Sequence, residues 1–187
     1  MRIETPEKHY DLVVVGGGMV GASFSLALCS AIGRKKLSIL VVEPVPHSAA
    51  DIQQPSFDAR STALSYGSRC IYNDMALWRE LAYRATPIKE IHVSDKGRFG
   101  LTRLNYADHE VEALGYVLEN RQIGKVLNKA MEESSVVQLF SPARIEHISP
   151  SDGKMLLAVL KGESRFTVET SLVVLADGGK SPICDQV

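Results

Sequence analysis

Gly16, Gly18 and Gly21 stand at the spacing G-x-G-x-x-G, with Gly17 as an additional glycine, and Glu43 follows. Glycines so placed permit a tight turn, close approach of backbone to a pyrophosphate and close packing of a helix on a strand. Met19 and Val20 fall where that helix begins, so free N–H groups and the positive end of its dipole would meet phosphate there. A carboxylate at Glu43 would accept hydrogen bonds from ribose hydroxyls and repel a 2′-phosphate. Glycine clusters are common in turns, so the motif alone is weak, and a ligand-free glycine turn is the alternative. A second candidate is Asp177-Gly178, which directly follows the apolar run 172–176. It would offer a carboxylate and free N–H groups at the carboxyl end of a strand, where open sheets bind ligands. His9, His47, His92, His109 and His147 have no metal-ligand spacing, and no catalytic triad or paired carboxylates stand out.

The surrounding pattern decides what the glycines mean. Residues 10–15 read as a β-branched strand, 20–32 as a helix with small Ala22, Ser23 and Ser25 facing the sheet, and 37–42 as a second strand ending at the acid. Strand, helix, strand and acid in register predict a dinucleotide site. A loop rich in Pro, Ala and Ser covers 44–55. Residues 62–82 read as mainly helical, broken near Gly67, with Ile71, Met75, Leu77, Trp78 and Leu81 as the apolar face and Trp78 in the core. Runs 88–94 and 99–104 flank Asp95-Lys96-Gly97-Arg98 as a hairpin, and 113–118 is a further strand. Asn120 is the expected N-cap of a helix over 121–133 that buries Ile123, Val126, Leu127 and Ala130.

Beyond that helix only strands are expected: 136–140, then 143–148, 155–160 and 165–168, then 172–176. Two sheet strands are thus joined by a three-stranded antiparallel meander where an ordinary nucleotide fold uses a helix. That replacement is a feature of FAD-binding relatives of the dinucleotide fold. The fold expected is α/β, an FAD-binding Rossmann-like domain with a β-meander crossover and part of a second β-rich substrate domain. Residues 1–70 would form the first part of the FAD domain, 71–118 a partial substrate-domain segment, and 119–187 the second part of the FAD domain.

The chain has 187 residues and 45% apolar content, sufficient for a real core. Its formal net charge of −1 gives no long-range attraction for nucleic acid. No apolar run approaches a membrane span of roughly 20 residues. The N-terminal residues are polar and lack a signal-peptide core. Cys29, Cys70 and Cys184 form no C-x-x-C pair and read as buried reduced thiols of a cytoplasmic protein.

Gly16-Gly17-Gly18-Met19-Val20-Gly21 with Glu43, Arg121 at the start of its helix, and Leu175-Ala176-Asp177-Gly178-Gly179-Lys180-Ser181 together resemble the flavin-dependent aromatic hydroxylases of the p-hydroxybenzoate hydroxylase group. Phe57-Asp58-Ala59-Arg60-Ser61-Thr62-Ala63-Leu64-Ser65 resembles the ubiquinone-biosynthesis branch. His92-Val93-Ser94-Asp95-Lys96-Gly97 and 113–119 are similar to its 2-octaprenyl-6-methoxyphenol hydroxylases. The resemblance implies FAD held by Gly16, Gly18, Met19, Val20, Gly21, Glu43, Asp177 and Gly178. It places Arg121 near the FAD phosphates and Arg60 near the isoalloxazine. It implies NAD(P)H as co-substrate and a polyprenyl methoxyphenol hydroxylated with O2 through a flavin C4a-hydroperoxide. A ubiquinone-biosynthesis complex and peripheral contact with the inner membrane follow from such a substrate.

The chain departs from the family pattern in three ways. Ser25 replaces the usual Ala or Gly, Cys184 stands where an arginine often follows the Asp-Gly motif, and family members are substantially longer. The expectation is an N-terminal portion, inactive alone, with the C-terminal half of the enzyme absent. The alternatives are an NAD-dependent dehydrogenase domain, a non-catalytic truncated nucleotide-binding module, and a reductase or halogenase on the same fold. Against the dehydrogenase, no tyrosine has a lysine four positions later.

Overall fold

Val13, Val14, Leu40 and Val41 are all fully buried, because adjacent parallel strands here are covered on both faces. The computed structural model describes residues 9–32, 37–46, 54–179, 181 and 183. In chain order the elements are β1 (His9–Val15), α1 (Met19–Ile32), β2 (Ile39–Val42), a 3₁₀ turn (Pro55–Phe57), β3 (Ser61–Ser65), α2 (Tyr66–Asp74) and α3 (Trp78–Leu81). Strands β4 (Thr86–Ile88), β5 (Glu90–Ser94), β6 (Leu101–Asn105) and β7 (Gly115–Glu119) lead into α4 (Asn120–Glu133). Four strands complete the described chain: β8 (Val137–Phe140), β9 (Arg144–Ser151), β10 (Lys154–Lys161) and β11 (Ser164–Leu175).

The main sheet has the order β8-β2-β1-β11-β10-β9. Alternation along β2 divides its side chains between two cores. Ile39 and Val41 meet α1 and α4 through Ala22, Leu26, Ile123 and Leu127. Leu40 and Val42 meet the meander's Ile145, Ile148, Leu157 and Val168 on the other face. The meander is present as expected, with one difference. Its third strand and the strand that closes the sheet are the continuous β11. At Glu169 and Thr170 this strand pairs in parallel with His9 and Tyr10 of β1, and antiparallel with Leu156 and Met155 of β10. Glu169-Thr170-Ser171 contains no glycine or proline to break the strand, and pairing on both sides holds it extended.

The expected helix over 62–82 begins later than its pattern suggested. Thr62 and Leu64 pair with Leu118 and Tyr116 in the small sheet β3-β7-β4, so 61–65 is a strand. Ser65 ends it and caps α2, its side chain accepting from the Ser68 N–H at 3.1 Å. Gly67 lies inside α2, and Ile71 is exposed while Tyr72 is buried. Trp78 is core, edge-on to Tyr116 with ring centroids 4.8 Å apart. Tyr72, Trp78, Leu81 and Tyr116 share one buried cluster with Leu12 and Val14. The hairpin forms as β5–β6, with Thr86–Ile88 separated off to pair with β7.

Asn120 is the first residue of α4, not its cap; Glu119 precedes the helix without a side-chain cap bond. The Asn120 side chain instead accepts from the Thr62 hydroxyl at 2.6 Å and donates to Asp58 at 3.3 Å, tying β3 to the helix. Cys29 and Cys70 are unbridged and half-buried rather than buried, and desolvation pushes the Cys29 thiol up. Cys184 and His47 lie outside the described residues.

Gly124 is where α4 touches the 3₁₀ turn. A Cβ there would lie 2.4 Å from Cγ of the buried Phe57. Alanine in a free helix would gain about 1 kcal/mol over glycine, but overpacking costs about 1–3 kcal/mol. Gly124→Ala is therefore expected to lower the urea midpoint; a raised midpoint would show that Phe57 gives way freely.

Candidate functional site

The site lies at the carboxyl ends of β1, β2 and β11. Gly16 leaves β1 with φ +99°, and a Cβ on it would fall 2.7 Å from the Ala176 carbonyl carbon. A Cβ on Gly21 would sit 1.9 Å from the Gly16 carbonyl oxygen, so the first turn of α1 packs directly on the loop. Ser25, one turn further, fits because its buried hydroxyl donates to the Gly21 carbonyl at 2.8 Å. The loop is secured to both neighbours: Gly16 N–H donates to Val42 O at 2.8 Å, and Ala176 N–H donates to Val15 O at 2.7 Å.

Glu43 ends β2 and is only 4% exposed. Its Oε2 accepts from the Gly17 N–H at 2.7 Å and from Gln54 Nε2 at 3.2 Å, while its Oε1 accepts from the Val45 N–H at 2.8 Å. A carboxylate offers about four acceptor positions, of which donors among the described residues fill three. The buried charge is thus held chiefly by backbone donors of the glycine loop.

A cleft of about 400 Å³ opens between these elements. Seven of the residues expected from sequence line it: Gly16, Gly18, Met19, Val20, Glu43, Asp177 and Gly178. Gly21 lies behind it, as the contact that lets α1 approach. Pro44, Val45 and Ala176 add apolar wall, and Gln54, Pro55 and Ser56 close one side. Those last three residues were not expected at the site. The signal available for them was Gln54-Pro55, a polar residue before a proline at the first position of a helical turn. Gln54 does cap that turn, its Oε1 accepting from the Ser56 N–H at 2.7 Å.

Neither expected arginine lines this cleft. Arg60 is paired with Asp58, Nε to Oδ2 at 2.5 Å, and its side chain is exposed. The Arg60 backbone N–H, ahead of its side chain, holds the Asp58 carboxyl below its usual range. Arg121 pairs with Glu119 at 2.5 Å, which lowers the Glu119 carboxyl and raises the guanidinium. Arg121 lines a separate polar cleft of about 470 Å³ with Arg84, Glu119 and Gln122. Among the described residues no cluster of His, Cys, Asp or Glu could hold a metal ion.

The glycine cradle, the helix start, the buried acid and the open turn at Gly178 (φ +96°) fit the adenosine and pyrophosphate portion of a dinucleotide. No protein-family model matches the chain. Ubiquinone hydroxylase UbiL of Rhodospirillum rubrum is 28% identical over 178 residues, which cover 95% of this chain and 39% of that protein. The ubiquinone biosynthesis monooxygenase COQ6 of Caenorhabditis elegans is 25% identical over 178 residues, covering 94% and 39%. Over this span the chain is similar to ubiquinone hydroxylases. It spans about two-fifths of the length of these curated relatives.

Among solved structures, p-nitrophenol 4-monooxygenase PnpA of Pseudomonas putida superposes with a TM-score of 0.74 at 17% identity, over 96% of this chain and 44% of that one. The flavin-dependent monooxygenase PieE, solved with FAD and substrate, gives 0.74 at 18% identity, over 97% and 32%. The chain shares its fold with the matched portions of these monooxygenases.

Glu43→Gln tests the acid's structural share. An amide in either orientation turns an N–H₂ toward one of the donors the carboxylate now satisfies. The expected loss is about 1–3 kcal/mol in urea unfolding; an unchanged midpoint would mean the loop holds its shape without the charge.

Proposed function

We propose that this chain carries the adenosine and pyrophosphate end of an FAD site, in a flavin-dependent monooxygenase that hydroxylates a polyprenyl methoxyphenol during ubiquinone biosynthesis. The observation that carries this reading is the cleft itself. Glycine loop, buried acid and Asp-Gly step meet at one sheet edge, on a fold shared with flavin monooxygenases and in a chain similar to ubiquinone hydroxylases.

FAD bound there would supply hydride acceptance from NAD(P)H and activation of O2. The chain's own residues would bind and orient. The Gly18, Met19 and Val20 backbone would face the pyrophosphate, with Gly16 and Gly21 shaping the turn beneath. Glu43 would accept from a ribose hydroxyl, and its charge would repel a 2′-phosphate. Asp177 and Gly178 would meet the cofactor as it leaves the sheet edge. Arg60 and Arg121 are proposed to reach it by exchanging their carboxylate partners, both pairs being exposed.

Segment 71–118 is proposed to begin the substrate-binding part. In support, the β5–β6 hairpin presents Ile91, Val93 and Leu104 together on one face, with Val93 54% exposed. No described helix is long and apolar enough to cross a membrane. Peripheral contact with a membrane or a biosynthetic complex is proposed from the substrate's chemistry.

The 187-residue chain is expected to bind FAD weakly and to oxidise no NAD(P)H by itself, with turnover on a polyprenyl phenol once the remaining length of its relatives is supplied. Flavin fluorescence titration and NAD(P)H consumption measure both. Sub-micromolar FAD affinity with NAD(P)H oxidation by the chain alone would overturn the partial-site reading. Arg121→Ala is expected to weaken FAD binding about tenfold to a hundredfold, the scale of a lost charged hydrogen bond; an unchanged Kd would leave Arg121 to Glu119.

A further inference from the structure

The space that Gly18 leaves open is filled by the chain itself. A Cβ on Gly18 would fall 2.8 Å from Ser56 Oγ and 3.0 Å from Gln54 Nε2. The Met19 N–H, at the start of α1, donates to Ser56 Oγ at 3.3 Å. Ser56 Oγ in turn contacts Gln54 Oε1 at 3.0 Å, and Gln54 Nε2 donates to Glu43 at 3.2 Å. A side-chain relay therefore runs from the buried acid to the helix start, across the place where an anionic ligand would approach. Ser56 supplies an oxygen to a helix-terminal N–H, as a phosphate oxygen would.

We propose that Ser56 is an intramolecular occupant of the phosphate cradle, and that Ser56 and Gln54 must shift outward for a pyrophosphate to bind. The inference rests on the dinucleotide reading of the cleft. Ser56 then acts as an affinity-setting residue whose hydroxyl competes with the ligand. Its removal should strengthen binding, whereas removing a hydroxyl that contacts the ligand weakens it.

The geometry makes the displacement inexpensive. Two bonds must break, Met19 N–H to Ser56 Oγ at 3.3 Å and Gln54 Nε2 to Glu43 at 3.2 Å, and both lie at or beyond the long end of the normal N–H to oxygen range. The turn stays anchored from below, because Phe57 is buried against Gly124 of α4. The motion required is a shift of Ser56 and Gln54 above that anchor.

The test compares Ser56→Ala with the wild-type 187-residue chain, using FAD as probe in a fluorescence titration and backbone amide exchange in the free protein. Loss of the competing bond is expected to tighten FAD binding about threefold to tenfold. It is also expected to speed exchange of the Met19 amide. Measurable binding by the variant where the wild type shows none would support the proposal equally. Equal or weaker binding by Ser56→Ala, with the wild type binding FAD, would overturn the occupant role and leave the dinucleotide reading standing. Failure of both proteins to bind FAD would overturn the dinucleotide reading, and the occupant role with it.

Discussion

The whole site depends on a contact that side chains would forbid. The first turn of α1 lies so close to the end of β1 that a Cβ at Gly21 would sit 1.9 Å from the Gly16 carbonyl oxygen. Gly16 itself is threaded against Ala176 and Asp177 at the end of β11. Three elements thus converge within one layer of backbone atoms. The cleft between them, the exposed start of the helix and the nearness of Asp177 to the glycine loop are geometric consequences of that approach. Larger residues at either glycine would push the helix outward and separate the groups that line the cleft.

Glu43 is the electrostatic counterpart of this steric constraint. A carboxylate at 4% exposure is costly unless its acceptor positions are filled. Here the donors are the Gly17 and Val45 backbone N–H groups and Gln54. The acid consequently has two roles at once. It cross-links the end of β2 to the glycine loop and to the turn ahead of β3, and it also lines the cleft. Rigidity of the loop and selectivity for a ribose would then come from the same side chain.

Local pattern sufficed wherever an element's own residues determine its environment. β1, α1, β2, α4 and the meander strands were legible because their apolar periods match the faces they bury. It failed where pairing across the molecule overrides local preference. Residues 62–65 carry helix-compatible types but pair with β7 and become strand. Asn120 has a capping side chain that is drawn instead to Thr62 and Asp58. The third meander strand and the closing strand read as two because Glu169-Thr170-Ser171 is polar, yet pairing with β1 and β10 makes them one.

By itself the sequence determined that a glycine loop, an acid and an Asp-Gly step would meet at a sheet edge. Their spacing is set by the lengths of the strands and helices between them, and only glycine tolerates the contacts involved. The tertiary structure alone decided what else enters the cleft. Gln54 and Ser56 reach it because the turn beyond β2 is pinned through Phe57 onto Gly124 of a helix far away in sequence. Arg60 and Arg121 lie outside it, each paired with a carboxylate two residues away. The first outcome depends on packing between segments distant in sequence, which residue type and spacing do not encode; the second involves local pairs, and only the folded backbone settles which partner each arginine takes.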